Sequence, residues 1–216
     1  MEITASHKHT REKASLFDVS HMCQVQLFGE DRVKFMESLV VADVSGLTNG
    51  AATLSVFTND QGGILDDCII TFFMDHINLV SNAGCADKIL AHLAQAEKNF
   101  TGDLQVKHRG DRALIAIQGP QAMGALQQHV GIDLEKLPFM HGVLNVPFTS
   151  FSGEAAVISR CGFEKSQFVK CFESFCETVI KNQNFEKCAV FELFIFLSFR
   201  TCQCATQILL TYYHHL

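Results

Sequence analysis

Gln61-Gly62-Gly63-Ile64-Leu65-Asp66-Asp67-Cys68-Ile69-Ile70 is the stretch on which the fold turns. It closes a loop begun at Thr58-Asn59-Asp60 and leads into an apolar, β-branched run, Ile64 to Phe73, which follows a similar run at Thr53 to Phe57. Asn, Asp and paired Gly tolerate positive φ, so two strand-forming runs separated by these residues predict a hairpin. Two adjacent carboxylates stand in a strand otherwise built of Ile, Leu, Cys and Phe. Successive strand side chains leave opposite faces, so Asp66 and Asp67 are not expected to serve one pocket together. One would brace the hairpin. The other would face inward, where a carboxylate among apolar side chains is costly unless partnered. A carboxylate held in this way can orient a bound amine or accept its proton. The same residues also read as two solvated carboxylates at a hairpin mouth.

Outward from the hairpin, Cys23 to Phe28 alternates like a strand, and Glu30 to Val40 sets Val33, Met36 and Val40 near one helical face. Ile77 to Ser81 is a further short strand. Ala83 to Lys98 predicts a helix that buries Ile89, Leu90 and Leu93. Arg112 to Ile117 reads as a strand, Gln118-Gly119-Pro120 as a turn and Gln121 to Val130 as a helix, with Pro120 where a missing N–H costs nothing. Val143 to Phe151 and Glu154 to Arg160 form a last hairpin around Ser152-Gly153. Strands joined by hairpins and interleaved with helices predict an α+β fold of mixed, largely antiparallel sheets with flanking helices. No glycine-rich loop of the dinucleotide or P-loop type supports a nucleotide cofactor.

The chain has 216 residues, 48% of them hydrophobic, and a formal charge of −6 from 17 basic and 23 acidic side chains. That much apolar side chain excludes a disordered chain, and the acidic balance argues against nucleic acid as a partner. Nine cysteines are an odd number in a chain that is not small, which favours reduced thiols over a disulfide scaffold. All fourteen glycines and all three prolines lie at or before Gly162, whereas residues 163–216 hold five cysteines and nine of the nineteen phenylalanines. Punctuation of that kind marks turns, so its loss divides the chain. Residues 1–13 read as a divergent leading segment, 14–163 as a folded domain, and 164–216 as a tail, helical or poorly ordered, of different origin. No membrane is expected, because the apolar run Cys188 to Phe199 is interrupted by Glu192 and is shorter than the roughly 20 residues of a span. No metal site is expected either. Cys202-x-Cys204 with His214 and His215 does not have zinc-ligand spacing.

Other residues invite more than one reading. Met22, in Phe17-Asp18-Val19-Ser20-His21-Met22, could line a pocket for a flat heterocycle through its thioether, or pack in the core. Asn82 is a natural helix cap after a strand and could also aim its amide at a ligand. Cys23, Cys68, Cys85 and Cys161 read as inert small hydrophobes.

Several strings, taken in order, resemble one family. They are Ser15-Leu16-Phe17-Asp18-Val19-Ser20-His21-Met22, Gly62-Gly63-Ile64-Leu65-Asp66-Asp67, Val80-Ser81-Asn82-Ala83-Gly84-Cys85, Ala113-Leu114-Ile115-Ala116-Ile117-Gln118-Gly119-Pro120, Lys136-Leu137-Pro138-Phe139-Met140 and Ser159-Arg160-Cys161-Gly162-Phe163. Together they are similar to aminomethyltransferase, the T-protein of the glycine cleavage system. The resemblance implies transfer of an aminomethyl group from the lipoyl arm of H-protein to tetrahydrofolate, a co-substrate, with release of ammonia and 5,10-methylenetetrahydrofolate. It implies Asp67 as the catalytic aspartate, and Met22, Leu54 and Asn82 in the folate pocket. It also implies lipoylated H-protein as partner and the mitochondrial matrix as location, although Met1 to Lys13 makes a poor transit peptide. The family continues past the Arg160-Cys161-Gly162-aromatic string with a TGEDG motif and a pterin-binding glutamate, whereas here Phe163 is followed by Glu164-Lys165-Ser166. That departure leaves a second expectation, a catalytically impaired fragment or isoform that has lost part of the folate site.

Overall fold

The structure, a computed structural model, describes residues 3–149, 156–162 and 193–199, the last as backbone. The fold is α+β with antiparallel sheets. Along the chain run α1 (Ile3–Glu12), β1 (Ser15–Asp18), β2 (Cys23–Phe28), α2 (Arg32–Glu37), β3 (Ala52–Thr58), β4 (Ile64–Phe72), β5 (Ile77–Ser81), α3 (Ala86–Asn99), β6 (Gln105–His108), β7 (Ala113–Gln118), α4 (Ala122–Gln127), β8 (His141–Val146), β9 (Ala156–Gly162) and β10 (Leu193–Phe199). They form two five-stranded sheets, in the orders β3-β4-β5-β2-β6 and β1-β7-β10-β9-β8.

The predicted hairpin forms. Val56 pairs with Asp67 and Phe57 with Asp66, with the register shifting at Thr58. The loop is closed by Asn59, whose Oδ1 accepts from Gln61 N at 3.1 Å and Gly63 N at 2.7 Å, while Gly62 takes φ +76°. A left-handed residue at that point is cheap only for glycine.

One face of the first sheet carries the core. Val25, Phe57, Ile70 and Leu79 pack there against Phe35 and Met36 of α2 and Ile89 and Leu93 of α3. Leu90, expected to be buried with them, is only partly so. Each fully buried side chain of this size contributes about 1.5–3 kcal/mol, which is what holds α2, far too short to be stable alone. The second sheet buries Ile115, Ile117 and Ile158 under Ala122 and Leu126 of α4 in a separate core.

The two halves repeat. A constant shift of 90 residues carries β2 onto β7 (Cys23 to Ala113) and α2 onto α4 (Arg32 to Ala122). Val40 bridges to Phe57, and Val130 bridges to Phe148, one residue beyond the constant shift. Glu37 Oε1 accepts from Val44 N at 3.0 Å, and Gln127 Oε1 from Leu134 N at 2.8 Å. The edge strands are exchanged. β6 lies beside β2, with Phe28 opposite Gln105, and β1 lies beside β7, with Gln118 opposite Ser15. Where the halves meet, Ala51 pairs with its own equivalent, His141, and Ala52 N donates to Met140 O while Gly142 N donates to Gly50 O, both at 2.7 Å. Equivalent residues pair with one another only at a local two-fold axis.

Three elements were not expected: α1, β1 and β6. The last expected hairpin is present as β8 and β9, paired antiparallel. Its turn at Ser152-Gly153 lies outside the described residues. Of the tail, for which a helix was among the expectations, Leu193–Phe199 is a strand; the remainder lies outside the described residues.

Candidate functional site

The faces of the two sheets that do not carry the cores look toward each other across a cleft. The first sheet supplies the transverse row Leu54–Ile69–Val80–Gln24, fixed by three successive strand pairings. The next row toward the hairpin starts with Val56 and Asp67. Asn82 and Met22 each stand one residue beyond the Cys68–Ser81 and Cys23–Ser81 pairs, so the same register sets them in that row. The four expected residues Met22, Leu54, Asp67 and Asn82 therefore share one sheet face, opposite the core. Asp67 and Met22 are half-buried, Asn82 is exposed, and Leu54 is 39% exposed. A pocket of about 50 Å³ in the cleft begins one row further in, between Ile69 and Thr71 on one side and Val157 and Ser159 on the other.

The two aspartates leave opposite faces, as strand alternation requires. Asp66 is buried and Asp67 is half-exposed. Asn82 joins them. Its backbone N–H donates to Asp66 Oδ2 at 3.0 Å, and its Nδ2 donates to Asp66 Oδ1 at 3.0 Å and to Asp67 Oδ1 in a second, short contact. Asn82 does occupy the capping position of the turn Ala83–Cys85, but its side chain makes no capping bond. Both amide hydrogens go to carboxylates, where charge-assisted bonds are about twice as strong as neutral ones. The amide is thereby oriented against the two carboxylates. A ligand N–H lying over the apolar row of Leu54, Ile69 and Val80 meets the half-buried Asp67 carboxylate as an acceptor.

Deeper in the cleft lies a polar network. Arg109, 7% exposed, is held by Asp111 through two bonds of 2.8 Å and donates to Gln26 Oε1 at 2.6 Å, while Gln26 Nε2 donates to Asn78 Oδ1 at 2.9 Å. The Arg109 hydrogen bond holds the Asp111 carboxyl far below the usual range. These residues were not singled out from sequence, although the alternation of Cys23 to Phe28 places Gln24 and Gln26 opposite the core. Asp18 is lowered by its bonds from Ser20 Oγ and N, and it braces the turn leading to His21 and Met22. His21 is exposed. Burial pushes the Cys68 and Cys161 thiols up to about 12, in keeping with inert side chains. His76, set between the rings of Phe28 and Phe73, is shifted down by burial in spite of the hydrogen bond between its Nδ1 and Asp75 at 2.8 Å.

Among the described residues no group of three or more His, Cys, Asp or Glu could hold a metal ion, and no helix is long and apolar enough to cross a membrane.

Comparison with known proteins follows the same lines. The GCVT N-terminal domain family matches residues 1–176. Mitochondrial aminomethyltransferases of Homo sapiens and Dictyostelium discoideum are 47% and 43% identical over 168 and 167 residues, in each case 74% of this chain and 40% of the relative. That of Flaveria anomala is 51% identical over 157 residues, 71% of this chain and 38% of the relative. The chain thus spans about 40% of the length of these relatives. Among solved structures, the glycine cleavage system aminomethyltransferase T of Bartonella henselae superposes with a TM-score of 0.70 at 28% identity, over 94% of this chain and 46% of that one.

Proposed function

Because the chain belongs to the GCVT N-terminal domain family, we propose that its cleft face binds tetrahydrofolate and serves aminomethyl transfer in the glycine cleavage system. The donor is the aminomethyl group on the lipoyl arm of H-protein. The products are ammonia, the dihydrolipoyl arm and 5,10-methylenetetrahydrofolate. Asp67 is the catalytic residue, with its carboxylate against the amine N–H groups of the reduced pterin, orienting them and taking up a proton as nitrogen becomes bonded to the new carbon. Asn82 offers its carbonyl to the same ring, and Met22 and Leu54 supply apolar contact. Positioning of this kind, with a fixed charge beside the reacting nitrogens, is a main source of rate in transfer reactions. The Homo sapiens, Dictyostelium discoideum and Flaveria anomala relatives are named as mitochondrial, and the mitochondrial matrix is the compartment proposed here.

The observation that carries this reading is the two-carboxylate clamp on Asn82, whose side-chain amide donates to both Asp66 and Asp67 and ties the Asp67 carboxylate in place on the cleft face. Titration calorimetry of the chain with tetrahydrofolate tests it. Binding is expected in the micromolar range, and Asp67→Asn should weaken it about tenfold or more, since a hydrogen bond to a charged group is worth roughly 1.5–3 kcal/mol. No heat of binding, or equal affinity in the variant, would count against Asp67 as the contact.

A further inference from the structure

β10 occupies a defined place. In the first sheet the strand between β4 and β2 is β5, delivered by a four-residue turn from Phe72 to Ile77. In the second sheet β9 and β7, the counterparts of β4 and β2, do not pair with each other. They are separated by β10, which follows β9 only after residues 163–192. We propose that the segment Leu193–Phe199 is the structural replacement for the strand that the repeat calls for here, and that the wall of the cleft is completed by it.

The registers agree residue for residue. Leu79 stands between Val25 and Ile70, and Leu197 between Ile115 and Ile158. Val80 stands between Gln24 and Ile69, and Ser198 between Leu114 and Val157. Asn78 stands between Gln26 and Thr71, and Phe196 between Ala116 and Ser159. β9 follows β4 at a shift of 88 where β7 follows β2 at 90, an even offset that keeps every face, whereas a slip of one residue would invert every face of a strand. The shift of 90 residues was found from β2, α2 and β6, none of which involves β10, so the vacancy it predicts is independent of the strand that fills it. Composition agrees as well. A short continuous apolar run free of charge, Gly and Pro is consistent with a strand inside a sheet, and Leu-Phe-Ile-Phe-Leu-Ser-Phe is such a run.

The consequence reaches the cleft, because Leu114 of β7 and Val157 and Ser159 of β9 line it. Without a strand between them, their backbone N–H and C=O groups would face an open slot, and unpaired strand edges bind whatever extended segment they meet.

Hydrogen exchange on the unmodified chain tests this directly. Amides of 193–199 are expected to be slowed about a hundredfold or more relative to free peptide, alongside those of Ile77–Ser81. Leu197→Pro, which removes a ladder donor from a central strand, should cut protection in Ala113–Ile117 and Val157–Cys161 about tenfold while leaving β2, β4 and β5 protected. Free exchange of 193–199 while β7 and β9 stay protected in the unmodified chain would overturn the proposal. So would an unaltered pattern in Leu197→Pro. A variant that fails to fold leaves the decision to the unmodified chain.

Discussion

Asn82 shows how one side chain can join two groups that strand geometry separates. Asp66 is buried at 8% exposure and accepts both the backbone N–H and one amide hydrogen of Asn82, and the remaining hydrogen goes to Asp67. Asp66 is thus a positioning residue, acting on a ligand only through Asn82. Removing it strands two donors, each costing about 1–3 kcal/mol where water cannot replace the acceptor. Asp66→Ala should therefore lower the urea midpoint clearly, whereas Asp67→Ala, at a half-exposed position, should barely move it yet impair tetrahydrofolate binding more. Equal midpoints for the two variants would remove the distinction drawn between them. Alternation in the sequence separates the roles of the two aspartates but does not say which is buried. That depends on which sheet face carries α2 and α3, information held by the helices and not by the strand. The clamp itself joins Asp66 to Asn82 across a strand pairing, and nothing local announces it.

At the scale of elements, most helices and strands between Cys23 and Gly162 are visible in the sequence, whereas the leading helix α1, the strand β10 and the short edge strands β1 and β6 are not. β1 and β6 are four residues each, with burial reaching only half-buried along Ser15-Leu16-Phe17-Asp18 and Gln105-Val106-Lys107-His108, so neither period shows. Two glycines seat them. Gly29 at φ +103° lies so close to the chain before β6 that a Cβ would stand 2.2 Å from Asp103 O. Gly119 at φ +121° lies equally close to the chain before β1, with a Cβ 2.4 Å from both Lys13 O and Thr10 O. Backbone is what blocks them, so no side chain can swing away. Gly29→Ala and Gly119→Ala should each cost about 1–3 kcal/mol from the strained φ alone, with further loss from the collision. Gly124, inside α4 with nothing within 4 Å, is the opposite case. Gly124→Ala should stabilise by roughly 0.5–1 kcal/mol, because a helix interior favours Ala. Thermal unfolding of the three variants checks the signs, and a stabilised Gly119→Ala would contradict the close approach.

For the whole molecule, the repeat is what sequence inspection misses, and the reason is chemical. Between residues 23–47 and 113–137 only four positions are identical: Gly29 and Gly119, Val40 and Val130, Asp43 and Asp133, Leu47 and Leu137. A core position requires volume and apolarity, not identity, so Met36 serves one half and Leu126 the other. What persists are the turn that needs positive φ and the Asp whose side chain organises the next turn, Asp43 accepting from Gly46 N and Asp133 from Glu135 N. Two cores with no residue in common follow from this plan, and their independence can be measured. Met36→Ala and Leu126→Ala each open a cavity and should cost about 2–5 kcal/mol. Residues with no shared partners add within about 0.5 kcal/mol, so the double variant should lose the sum of the two single losses in equilibrium urea unfolding. A shortfall beyond 1 kcal/mol or so would mean that a cavity in one core is felt in the other. The route would then run through the Ala51–His141 contact at the local two-fold axis, since that pairing joins the two sheets directly.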